Sequence, residues 1–385
     1  MCDLPCNYDP CSCMRTLPEK GRTFTTLLLH CWQREYDKRP YKNFQFRRLD
    51  FEERMNRGYH CIRDFRTIVN FLMQRRLFSV SVWSVVVSNK DVRLLQDFAR
   101  SLQNVPRIEL RLMRLPHEFF VMLRLRAHIM QLSDLSLEGT TLSCKAASML
   151  REFLLASKTL HTLNVSSCSL SQYNFAIVAD GVHKSSSMRN FYASRLIGEN
   201  LTLDTEKIAS IVGSLLMQNK LVELTMQQCE FVAQDMEVIA EYLVSPRCVL
   251  RKLNLAYNLI SADGAMFLMG GIAKGGTLEL LDISGNSIGS HGGEWVAKYF
   301  SSCYMLQHLY LNDNKIDAEA INLILLTLKK PCRMKRLQLY GNLFDARTAM
   351  IMRRLLDAKV VLQEEIDISY TYDEALQDYR IVPWR

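Results

Sequence analysis

The sequence contains no apolar run approaching the ~20 residues that a membrane-spanning helix needs. Its first stretch, Met1 to Lys20, has no apolar core of the kind a secretory leader carries; Asp3, Pro5, Pro10 and four cysteines stand there instead. The sequence therefore predicts a cytoplasmic location with reduced thiols, and no use of the sequon Asn200-Leu-Thr. No block of about five consecutive basic residues occurs, which disfavours nucleic acid as a partner. H-E-x-x-H, G-x-x-x-x-G-K-[ST], kinase and dinucleotide signatures are all missing, and no carboxylate pair stands in a motif context.

What is present is unevenly distributed charge. Residues 1–130 hold 23 Lys+Arg against 13 Asp+Glu, a net of +10; the remainder hold 25 against 27, a net of −2. The overall +8 thus belongs to the N-terminal third. Such an excess marks either a surface for an acidic partner or scattered Arg on solvated helices.

Also present is a spacing. L-x-x-L-x-L-x-x-N/C-x-L restarts at Leu132, Leu160, Met188, Leu221, Leu250, Leu278, Leu306 and Met334, at intervals of 28, 28, 33, 29, 28, 28 and 28 residues. The clearest copy is Leu250, Leu253, Leu255, Asn258 and Ile260; others follow from Leu278, Leu306 and Met334. Earlier copies keep the phase at Leu77, Val80 and Val82, and at Val105, Ile108 and Leu110. Phe46, Leu49 and Phe51 read as a degenerate first strand, and Gln363, Ile366 and Ile368 as a last one. A fixed period in this range signals a solenoid of stacked repeats. The middle of each motif alternates with period two, as a strand does. The stretch after it reads as a helix; after Asn314, Asp317 is the expected cap, with Ala320, Leu323, Ile324 and Leu328 as the apolar stripe. Asp345 and Ser261 begin helices at the same place in their repeats. The Asn side chain is expected to satisfy backbone groups that stacking buries, with Cys168, Cys229 and Thr140 in the same slot earlier.

On these residues the chain resembles the ribonuclease-inhibitor-like class of leucine-rich repeats over about residues 46–368. The resemblance implies an α/β leucine-rich repeat solenoid, a horseshoe of about ten 28-residue strand-helix repeats with a helical N-terminal cap. The domain reading is a cysteine-rich N-terminus at 1–13, a cap at 14–45, the solenoid at 46–359, and a C-terminal cap and tail at 360–385. A helical, cysteine-containing cap before such repeats is also similar in architecture to leucine-rich-repeat subunits of the nexin–dynein regulatory complex. That similarity implies a cytoskeletal or ciliary setting and a place in a larger complex. Leu17-Pro18-Glu19 followed by Leu27-Leu28-Leu29 resembles the start of an F-box, which would make the chain a substrate adaptor in ubiquitin ligation. Regulation of a small GTPase is the third setting, although no single arginine stands out for the catalytic role which that family supplies.

Three motifs point to chemistry, and each has a plainer reading. Gly285-Asn-Ser-Ile-Gly289 matches the G-x-S-x-G nucleophile elbow. The repeat already accounts for Asn286 and Ile288, leaving Ser287 as a variable turn residue. Cys2, Cys6, Cys11 and Cys13 are denser than the paired spacing of structural zinc sites and lie among prolines, so no metal is expected. His30-Cys31 and His60-Cys61 fall in helical patterns. The glycines from Gly270 to Gly276 end a helix. The reading is therefore a non-catalytic protein-binding scaffold with no cofactor.

Its expected binding face is the set of outward strand residues. Tyr257, His308, Tyr310, Arg336 and Tyr340 concentrate in four successive repeats, and tyrosine and arginine are enriched at interface hot spots. Trp83, Arg107 and Arg111 form a smaller basic patch toward the other end. The long interval after Met188 places an insertion at about residues 195–204, expected as a loop at the rim.

Overall fold

The computed structural model describes residues 33–34, 36–38, 43–46, 68–83, 87, 92–196, 204–217, 220–330, 333–374 and 377–384. The cysteine cluster at 1–13, the F-box-like leucines, His30-Cys31, His60-Cys61, most of the cap at 14–45, the insertion at 197–203 and the Asn200 sequon lie outside the described residues.

The chain divides into two compact units, Met1–Met188 and Arg189–Arg385. The first holds β1 (Asn43–Phe46), β2 (Ser79–Trp83), β3 (Arg107–Arg111), β4 (Asp134–Ser136) and β5 (Thr162–Asn164). It also holds helices α1 (Val92–Ser101), α2 (His117–Arg126), α3 (Cys144–Ala156) and α4 (Gln172–Lys184). The second holds β6 (Asn190–Tyr192), β7 (Glu223–Thr225), β8 (Lys252–Asn254), β9 (Leu280–Asp282), β10 (His308–Tyr310) and β11 (Arg336–Gln338). These strands alternate with α5 (Thr205–Leu216), α6 (Ala233–Leu243), α7 (Ser261–Ala273), α8 (Gly289–Phe300), α9 (Ala318–Thr327) and α10 (Ala346–Asp357). Within each unit the strands pair in chain order and in parallel. Ten parallel strands, β2 to β11, with helices between them make this a leucine-rich repeat solenoid. β1 pairs with β2 in an earlier register than expected, Phe44 opposite Val80 and Phe46 opposite Val82.

Packing follows the motif. The central residue of each three-residue strand, such as Leu163, Leu253, Leu281 and Leu309, is buried. Burial of each such side chain contributes about 1.5–3 kcal/mol. The helices close the other side with Phe119, Phe153, Phe175 and Ile324, also buried. Asp317 caps α9 by accepting from the Ala320 N–H at 2.9 Å. Asp345 caps α10 through the Thr348 N–H at 2.7 Å. Ser261 begins α7 without a side-chain cap, because Ile260 occupies the N-cap position. The stripe of α9 needs one correction: Leu323 is 48% exposed, and the buried face is Ala320, Ile321, Ile324 and Leu325. Leu323 lies one helical step off that face. Lys274 ends α7, and Gly275 follows it with φ +131°.

Behind the strands runs a ladder. Asn286 donates from Nδ2 to the carbonyls of Leu255 at 3.0 Å and Ile283 at 2.9 Å, and accepts from the Asn258 N–H at 3.0 Å. Asn314 donates to Ile283 O at 3.0 Å and accepts from the Asn286 N–H at 2.8 Å. Asn342 accepts from the N–H groups of Asn314 and Ile316, each at 3.1 Å. Asn258, Asn286, Asn314 and Asn342 are all buried. Each amide thus ties its own repeat to the one before it. Cys168 and Cys229 replace it with a single type of contact, Sγ to Leu137 O at 3.1 Å and to Ala193 O at 3.4 Å. Thr140 donates to Leu110 O at 2.6 Å and accepts from the Met113 N–H at 3.1 Å.

The residue before each ladder position takes a left-handed backbone: Leu112, Gly139, Ser167, Arg195, Gln228, Tyr257, Gly285, Asp313 and Gly341 all have φ between 52° and 83°. The tight turn after the strand demands it. At Gly341 a Cβ would run into the Asp313 carboxylate, so glycine is required there for space as well as for φ.

At the C-terminal end the repeat gives way to an antiparallel hairpin, β12 (Ile368–Asp373) with β13 (Asp378–Pro383), packed on α10. Ile366 still bridges Leu337 in parallel. Asp367 then covers the sheet edge by accepting from the N–H groups of Leu339 at 2.8 Å and Tyr340 at 3.2 Å. Those donors would otherwise face an absent next strand.

Candidate protein-binding faces

Strands of three residues bury the middle side chain and present the two flanking ones. A further position follows the next inward residue. Neighbouring strands lie about 4.8 Å apart, so side chains in one row touch and half-bury one another.

In the Arg189–Arg385 unit the row that opens the strands reads Lys252, Leu280, His308 and Arg336, aligned by direct pairing. The next reads Asn254, Asp282, Tyr310 and Gln338. Tyr340 follows β11 and is 49% exposed. His308 and Tyr310 on β10, Arg336 on β11 and Tyr340 just after it therefore belong to two adjacent repeats. Tyr257 stands apart. It lies in the turn after β8, two repeats before Tyr310, with φ 58° and its ring over Gly285, where a Cβ would strike it. It is exposed at the rim rather than on a strand.

The electrostatics of this face are specific. Asp282 accepts from Asn254 Nδ2 at 2.9 Å and from the Ser284 N–H at 3.0 Å, and burial raises its pKa. Arg251 pairs with Glu279 at 2.6 Å, and Lys252 with Glu223 at 3.3 Å. Lys335 and Arg336 form no ion pair among the described residues. Burial lowers the pKa of His308, and Lys335, Arg336 and Lys252 lower it further, against the opposing charge of Glu279. Its Nδ1 is buried without a hydrogen-bond partner among the described residues. Burial likewise raises the pKa of Asp367, partly countered by its two backbone donors and by Arg336. Lys252, Lys335 and Asp367 were not among the residues expected at the face. The dipeptide Lys335-Arg336 directly before a strand was the available signal for the first two rows.

The Met1–Met188 unit carries the other patch. Arg111 sits 4.7 Å from the Trp83 ring centroid and pairs with Glu138 at 2.5 Å. Ser81 donates to Glu109 at 2.6 Å. Arg107 is exposed at the start of β3. Its three expected residues do lie on the paired strands β2 and β3, but the central cation is already engaged.

Groups suited to catalysis are placed for structure. Ser287 is an exposed turn residue with φ 51°, one step past Asn286. Burial pushes the thiols of Cys168, Cys229 and Cys303 up to about 12, far from the thiolate a nucleophile needs. Among the described residues no three His, Cys, Asp or Glu side chains converge as metal ligands. No described helix is long and apolar enough to cross a membrane.

The fold is that of a leucine-rich repeat solenoid. A leucine-rich repeat family model matches residues 248–269, which span the end of the loop between α6 and β8, β8 itself, the Asn258 turn and most of α7. No curated protein matches the chain.

Proposed function

We propose that this chain is a non-catalytic scaffold that binds another protein on the outward face of β10 and β11, centred on Tyr310 and Tyr340. The observation that supports it is the juxtaposition of His308 and Tyr310 with Arg336 on paired strands, with Tyr340 in the turn that follows β11. A rigid sheet presents aromatic area at little entropic cost, and truncation of a hot-spot residue costs about 2 kcal/mol or more. The setting in a ciliary assembly, as part of a larger complex, rests on the architectural similarity described for the repeats and their cap. The test is affinity purification with mass spectrometry from the native cell type. Tyr310→Ala with Tyr340→Ala should reduce recovery of the main partner by about tenfold or more while the melting temperature stays near that of the wild type. Unchanged recovery removes this face from the proposal. Labelling by a fluorophosphonate probe that vanishes in Ser287→Ala would overturn the non-catalytic reading.

A further inference from the structure

The four strands β8 to β11 end in an imbalance of charge. Their opening rows carry Arg251, Lys252, Lys335 and Arg336 against Glu279. Glu279 is held by Arg251, and Lys252 is held by Glu223 from the preceding strand. The two cations of β11 are left over and exposed. Asp367, an acid at the sheet edge, spends its carboxylate on the backbone N–H groups of Leu339 and Tyr340. Beside the two free cations lies His308, directly opposite Arg336. Its Nδ1 is buried and has no acceptor or donor among the described residues.

We infer that this end of the sheet receives an acidic segment of the partner protein, whose carboxylates pair with Lys335 and Arg336 and one of which hydrogen-bonds protonated His308. This inference rests on the proposed scaffold reading and names the chemistry of its partner. Charge complementarity selects the occupant: a basic segment would meet Lys252, Lys335 and Arg336 at once, and a neutral one would leave Lys335 and Arg336 without counter-charges. The adjacent Tyr310 and Tyr340 supply area for apolar side chains between the acids.

A proton is coupled to this docking. In the free protein burial, and after it the charges of Lys335, Arg336 and Lys252, lower the pKa of His308 against the opposing charge of Glu279. A bound carboxylate reverses the local sign and favours the imidazolium. The complex then binds one more proton than the free protein. Affinity must rise as pH falls through the pKa of His308 in the complex, and level off below the pKa of the free state. The interaction must also weaken with salt, because the cations are exposed.

The test uses the full chain and three synthetic peptides of equal length: alternating glutamate and tyrosine, the same with glutamine for glutamate, and the same with lysine for glutamate. Fluorescence anisotropy should rank the glutamate peptide first, the glutamine peptide about tenfold weaker, and the lysine peptide weaker still. Between about pH 8 and pH 6 the glutamate peptide should tighten by roughly threefold or more, and His308→Gln should abolish that dependence. Lys335→Glu with Arg336→Glu should invert the ranking in favour of lysine, a gain that misfolding cannot imitate. Equal binding of the glutamate and glutamine peptides, a ranking untouched by the charge reversal, or no binding of any peptide overturns the inference. The tyrosine double variant, assayed for native partner recovery in parallel, separates the two failures. If it loses the partner while the peptides show no acid preference, the scaffold face stands and its acidic specificity falls. If it keeps the partner, the face itself is elsewhere.

Discussion

Arg111 and Arg336 occupy outward positions on two stretches of the same kind of sheet, yet only one of them is available. Arg111 lies against Trp83 and is paired with Glu138. Arg336 is exposed and faces His308. The chain's charge excess, +10 in the first 130 residues against −2 in the rest, points to the opposite end. The contrast arises because a carboxylate counts against a cation only where the two meet. In the C-terminal unit many acids are committed to backbone: Asp204, Asp317 and Asp345 cap helices, Asp235 accepts from Val232 N–H, and Asp367 covers the sheet edge. Their charges satisfy N–H groups, and the cations of β11 are left facing solvent.

The contrast extends behind the strands. In the C-terminal unit four buried asparagines link the turns. In the N-terminal unit the same slot holds Met113, Thr140 and Cys168. The largest expected effect sharpens this difference. Asn314→Ala removes one of the two amide donors to Ile283 O and the acceptor for the Asn286 N–H, leaving that buried N–H unsatisfied. It should cost about 1–3 kcal/mol in denaturant unfolding. Cys168→Ala removes one weak donor and should cost less. Equal losses from the two would mean that the amide contributes volume rather than hydrogen bonds.

A smaller effect concerns the committed acids. Asp317→Ala should destabilise by about 1 kcal/mol, the usual loss of an N-cap. Hydrogen bonds from the Ala320 N–H, and then Ser290, hold the Asp317 carboxyl below its ordinary pKa. Its contribution is therefore present above the unfolded-state pKa and is lost as pH falls through the lower folded-state value. The gap between wild type and Asp317→Ala in a pH series of urea melts should close on the acid side. A gap constant to the lowest pH would show that the carboxylate charge plays no part.

The repeat was legible because burial acts on every copy alike. Leu253, Leu281 and Leu309 each face the interior, and their spacing records it. The ladder role of Asn258, Asn286, Asn314 and Asn342 was legible for the same reason. Leu323 was misplaced because i, i+3 and i, i+4 steps both read as one stripe until packing selects the face. The candidate face was only half legible. Tyr310 and Arg336 follow from the strand period, but the period does not show that Tyr257 turns its ring over Gly285. Nor does it show that Glu138 reaches Arg111, because ion pairs between repeats depend on side-chain direction. Asp367 was invisible as an edge cap because the motif ends before it.

The smallest expected effect tests the closed patch directly. Arg111 lies between an aromatic ring and a carboxylate, both partly open to solvent. An ion pair of that exposure contributes about 0–1 kcal/mol, and the cation–π contact about 0.5–1 kcal/mol. Arg111→Ala should therefore lower stability by no more than roughly 2 kcal/mol, and Trp83→Ala with Arg111→Ala should change partner recovery by less than about threefold. A partner approaching this patch would first have to displace Glu138 from Arg111, whereas one approaching β11 meets cations with no ion pair to break. If the Trp83 and Arg111 pair abolishes recovery and the Tyr310 and Tyr340 pair leaves it intact, that order is reversed. The charge excess of the N-terminal third would then mark the binding end, and Glu138 would be a latch that the partner opens.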